Sequence, residues 1–155
     1  FYTAAAAGWK ERVSAALRAC PAYAFTCGSR PDREWDIYFD RLSPSDEDLV
    51  RIQNRRLCDA LQRSGERFEQ LRPIEHSAYF PDAARRARFI DRATQLGCRV
   101  VELLEPEARG EQFGVRVSAI GIPSHAHIDE LVLPLVQAAE DCDGEYDGWE
   151  TQVID

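Results

Sequence analysis

The side chains best suited to chemistry are His76, the pair His125 and His127, five cysteines at 20, 27, 58, 98 and 142, and arginines 85, 86, 88 and 92. An imidazole titrates near neutrality, so each histidine is a candidate base or metal ligand. His76 falls on the apolar side of an alternating run. There it reads as a core residue, with a small-ligand-binding or hydrolytic site as the alternative. His125 and His127 stand two residues apart at a predicted helix start, a spacing that does not put both on one face. The cysteines are odd in number and none form Cys-x-x-Cys. That pattern points to buried free thiols in a reducing, cytoplasmic setting rather than to a disulfide framework. No Gly-rich phosphate loop and no G-x-S-x-G elbow is present. No catalytic residue, metal or cofactor is therefore expected.

Charge is more informative. The 155 residues carry a net charge of −8. Residues 1–43 hold 6 basic and 5 acidic groups, leaving 13 basic and 22 acidic groups in 44–155. No Lys or Arg follows Arg116. An acidic C-terminal third disfavours direct nucleic-acid binding and favours a basic protein partner. The arginines at 85, 86, 88 and 92 share one predicted helix and are the alternative, an RNA-binding face. In so acidic a chain they read first as a solvated helix face. The end of the chain is the most distinctive stretch: Asp141, Asp143, Glu145, Tyr146, Asp147, Trp149 and Glu150 combine five carboxylates with two large aromatics. Trp149 reads first as the anchor of a core-packed last strand, and the seven residues together are the candidate partner-binding surface. Gly148 among them allows a bulge.

Elements must position these groups. Trp9, Val13, Ala16, Leu17 and Cys20 form a helical stripe ended by Pro21. Tyr23–Cys27 and the alternating Trp35, Ile37 and Phe39 predict two strands, and Phe1–Thr3 the tail of another. Phe1 opens a chain without methionine, so this segment is expected to be the last part of an upstream domain. Ser43-Pro44 marks the boundary, giving domains 1–43 and 44–155. Ser45 with Asp48 predicts a capping box for a helix reaching Ser64-Gly65, with Val50, Leu57 and Leu61 inside. From Pro73 the periodicity predicts a strand to Phe80 and a helix through Ala83, Ala87, Ile90 and Thr94 to Gly97. Strands over Val100–Leu104 and Phe113–Ala119 follow. Then come a helix capped by Ser124, with a kink at Pro134, and a last strand over Tyr146–Ile154. The order βαββαβ predicts an α+β fold, a ferredoxin-like sandwich with one extra helix before it and a partial α/β segment in front. No apolar run is long enough for a membrane span.

Asp48–Asp155 resembles the regulator of ribonuclease activity B family, the protein inhibitors of ribonuclease E. The likeness rests on the leading helix, the stretch PIEHSAYFPDAARRARFIDRATQLGCRV, the strand at Phe113–Ile120 and the ending GEYDGWETQVID. It implies a ferredoxin-like sandwich in a cytoplasmic bacterial protein. It also implies a non-catalytic role: binding ribonuclease E, or another RNA-decay protein, and so modulating RNA turnover. Residues 1–43 resemble the C-terminal half of an uncharacterised domain often fused upstream, chiefly through YAFTCGSRPDREWDIYFDRL.

Overall fold

Ser45 starts the first long helix as its sequence demands. Its hydroxyl accepts from the Asp48 N–H at 3.1 Å, and the Asp48 carboxylate accepts from the Ser45 N–H at 3.0 Å. The Ser45 hydroxyl, which donates to the Asp48 carboxylate at 2.7 Å, and then the Ser45 N–H hold that carboxyl below its ordinary range. This is helix α2, Asp46–Arg63; α1 is Trp9–Leu17. In this computed structural model residues 7–19, 21–106, 108 and 111–154 are described, and the chain divides into units Phe1–Ser43 and Pro44–Asp155.

The first unit holds α1, whose Trp9, Val13 and Leu17 form its less exposed stripe, and no described residue there is buried. The two predicted strands are absent. Residues 23–27 form no ladder, and the stretch after Trp35 is helical, closing in a π-type turn over Tyr38–Leu42. The Asp32 carboxylate explains the second difference, because it accepts from the Asp36 N–H at 2.9 Å and the Ile37 N–H at 3.3 Å. With no neighbouring described strand to complete a ladder, this local cap outweighs the period-2 pattern. Phe1–Thr3 lies outside the described residues.

The second unit follows the predicted order. It contains β1 (Arg72–Phe80), α3 (Ala83–Gln95), β2 (Arg99–Leu104), β3 (Phe113–Gly121), α4 (Ile128–Glu140) and β4 (Glu145–Glu150). The four strands form one antiparallel sheet in the order β2-β3-β1-β4, the ferredoxin-like arrangement. Ile74, His76, Ala78 and Phe80 of β1 and Val115, Val117 and Ala119 of β3 face the helices and are buried. Against them pack Phe89 and Ala93 of α3 with Leu135, Ala138 and Ala139 of α4. A second apolar cluster seats α2 beside α4: Cys58 meets Ile74, Ile128, Val132 and Trp149.

Local differences have local causes. The buried stripe of α3 is Arg86, Phe89 and Ala93, while Ala83, Ala87 and Thr94 are exposed. The Phe89 ring, 5.1 Å from that of Phe80, turns the helix toward itself. Helix α4 begins at Ile128 rather than at Ser124, because Ser124–His127 first closes its own turn through the Ser124 carbonyl and hydroxyl. It continues through Pro134 to Glu140. Strand β4 stops at Glu150; beyond it the Thr151 hydroxyl donates to the Pro73 carbonyl and the Ile154 N–H to the Glu66 carboxylate. At the start of β4, a Cβ on Gly144 would stand 2.1 Å from the Phe80 ring, so only glycine fits. Of the described cysteines, 58, 98 and 142 are buried and Cys27 is exposed.

Candidate functional site

The C-terminal motif is built on the edge strand β4. Gly148 pairs with Ser77 and Tyr146 with Ala78, which leaves Asp147 as the extra residue of a bulge. Gly148 sits at φ 146°, where a side chain would be strained. The bulge keeps Tyr146 and Trp149 both on the helix-covered side, opposite Ala78 and His76, and turns Asp147 outward.

Both aromatics are anchored from within. The Trp149 indole N–H donates to the Asn54 side-chain carbonyl at 2.9 Å, and Trp149 is 7% exposed. The Asn54 amide in turn donates to Asp129 at 2.7 Å, and Asp129 accepts from Arg51 at 3.1 Å. One relay of polar bonds thus ties β4 to α2 and α4. The Tyr146 hydroxyl lies 2.8 Å from His76 Nδ1. Burial pushes the Tyr146 hydroxyl pKa up and the His76 pKa down to about 4, so both are neutral at pH 7. An exposed aromatic patch is therefore not what this motif makes. Trp149 reaches a partner only through whatever lies over its edge.

Something open does lie there. A groove of about 520 Å³ runs between α2, the end of α4 and β4. Val50, Leu57, Val136, Tyr146 and Trp149 line it, all half-buried or buried, and Leu49 flanks it. Asp46, Glu140, Glu145 and Asp147 also line it, all exposed, and no Lys or Arg among the described residues does. None of these four carboxylates forms an ion pair among the described residues.

The other candidate acids behave differently. Asp141 pairs with Arg92, and Asp143 accepts from Arg85 at 3.1 Å and lies 4.0 Å from Arg88. The bond from Arg92, followed by one from Gln137, holds the Asp141 carboxyl below its ordinary range. Glu150 belongs to the helix-free face of the sheet, where Glu75, Glu102 and Glu150 surround Arg116 at 3.8, 3.2 and 3.9 Å. Of the seven candidate residues, then, Glu145, Tyr146, Asp147 and Trp149 meet at the groove, and Asp141, Asp143 and Glu150 do not. Sequence reasoning missed the groove's α2 wall and the contributions of Asp46, Glu140 and Asn54. The one available signal was a polar residue, Asn54, inside the apolar stripe of α2.

The alternative sites dissolve in the same geometry. The α3 arginines are not a free basic face. Arg85, Arg88 and Arg92 are matched by the acids just named and by Asp82. Arg86 is buried, donating to the Leu104 and Gly114 carbonyls at 3.3 and 3.2 Å and to Glu105 at 2.6 Å. His76 is 1% exposed and does not line the groove, so no substrate reaches it. His125 turns to Asp59 at 3.1 Å and His127 to the Ser124 hydroxyl at 2.8 Å, so the two do not converge on one ion.

No curated protein sequence matches the chain significantly. A family of unknown function, DUF695, matches residues 1–43. The family described as Regulator of ribonuclease activity B matches residues 51–151, which take in α2 from Arg51 onward, the whole sheet and the groove residues from Gln53 through Trp149. With more than half of its length in that match, the chain belongs to the Regulator of ribonuclease activity B family.

Proposed function

We propose that this protein regulates RNA turnover in the cytoplasm without catalysing a reaction, by binding ribonuclease E or another RNA-decay protein. The groove between α2 and β4 receives a basic segment of that partner bearing at least one apolar side chain. The observation that carries this reading is the unmatched set Asp46, Glu140, Glu145 and Asp147 around an apolar floor. A leucine-sized side chain leaving water for that floor contributes about 2 kcal/mol. Each exposed ion pair on the rim adds only about 0.2–1 kcal/mol. The floor therefore sets most of the affinity, while the acids raise the association rate and make it salt-dependent. Tyr146 and Trp149 serve as the anchored floor. Glu145 and Asp147 serve as contacts, whereas Asp141 and Asp143 stay with their arginines.

The test is RNA cleavage by purified ribonuclease E with increasing amounts of this chain at low salt. Cleavage slows as the chain is added, and the effect fades as salt rises. An unchanged rate at a large excess of the chain contradicts the reading.

A further inference from the structure

Strand β2 is the edge of the sheet opposite β4, and its residues are unusual for an edge. Val100, Val101 and Leu103 are 42%, 45% and 49% exposed. Such an edge offers unpaired backbone groups flanked by apolar side chains, the features that promote strand addition. The charges on the strand say what it would accept.

Arg99 pairs with Ser118 of β3 and Val100 with Val117, but the next matched pair is Glu102 with Arg116, which leaves Val101 as the extra residue of a bulge. In an unbroken strand, residues three apart point to opposite faces. The bulge resets that alternation. Arg99 and Glu102 both lie on the helix-free face, beside Ser118 and Arg116; Val100 and Leu103 lie on the other, beside Val117 and Val115. A two-fold axis perpendicular to a sheet keeps each face on its own side. Two β2 strands paired antiparallel, with Val100 opposite Val101, then bring Arg99 of each copy opposite Glu102 of the other. Arg99 and Glu102 then meet on the one face they already share. The register matches opposite charges twice and apolar groups between them.

We propose that β2 pairs with β2 of a second copy of this chain, joining two four-stranded sheets edge to edge in the register set by Arg99 and Glu102. This surface is separate from the groove, which lies at the other edge of the sheet. Two six-residue strands bury little area, so the dimer belongs to the weak, concentration-dependent class.

Sedimentation velocity of the 155-residue chain over a wide concentration range tests it. The wild type dimerises as concentration rises. R99E and E102R each place like charges opposite one another, and each raises the dissociation constant roughly tenfold or more. Mixing the two variants restores dimers. The introduced glutamate of one then faces the introduced arginine of the other, and the retained Glu102 of the first faces the retained Arg99 of the second. That rescue also shows both variants are folded. A wild type that stays monomeric at the highest concentration overturns the proposal, including the case in which β2 instead takes up an unrelated extended peptide. So do a dimer indifferent to R99E and a mixture no more associated than either variant alone.

Discussion

His76 shows how environment decides what a reactive side chain does. It sits mid-strand in β1 at 1% exposure, facing the helices beside Tyr146. Burial lowers its pKa from 6.5 to about 4. The folded chain therefore refuses a proton that the unfolded chain accepts. Its contribution to stability is complete above pH 6.5 and is lost as pH falls toward 4, amounting to about 3 kcal/mol over the whole interval. The carboxylates held low by their partners, Asp48, Asp82 and Asp141, act in the same direction but at more acidic pH. Urea unfolding at several pH values between 7 and 4 reads this directly. The wild type loses stability on acidification through that window, and His76→Gln flattens the slope whatever it does to stability at pH 7. An equally steep slope in the variant contradicts a buried neutral His76.

At the scale of elements, α2 is the part whose placement creates the groove, and Asn54 is what fixes it. Replacing Asn54 with Leu strands the Trp149 indole N–H and removes a donor from Asp129. Leaving those groups unpaired costs about 2–3 kcal/mol, against a small gain from the added apolar surface. Chemical denaturation measures the loss, and a shifted Trp fluorescence at pH 7 reports the loosened indole. Much of this level was legible beforehand. The capping box at Ser45, the strand alternations of β1 and β3 and the bulge at Gly148 are signals carried by neighbouring residues, so a local reading recovers them. Trp35–Phe39 has the alternation of a strand but lacks a neighbour to pair with, and the Asp32 cap decided its shape. The pairing of Asp141 and Asp143 with the α3 arginines could not be read from a pattern. It arises because the end of α4 is packed beside α3, a juxtaposition about 50 residues apart along the chain. That packing turned two apparent surfaces, one acidic and one basic, into a single internal contact.

At the scale of the whole molecule, the charge of −8 is not spread evenly over function. Some acids cap helices, some neutralise arginines on α3, and three surround Arg116 on the sheet. What remains unmatched at the groove is a small group of carboxylates over an apolar floor. No helix among the described residues is long and apolar enough to cross a membrane. The central claim is that this groove, rather than the acidic end as a whole, holds the regulated partner. The most direct measurement is the dissociation constant for purified ribonuclease E at about 50 mM salt, where screening is weak. The wild type is compared with Glu140→Lys/Asp147→Lys, two exposed positions whose replacement leaves the unfolding midpoint in place. The double variant binds at least roughly tenfold more weakly, because two attractive contacts become repulsive. Equal affinity of the two proteins would contradict the account.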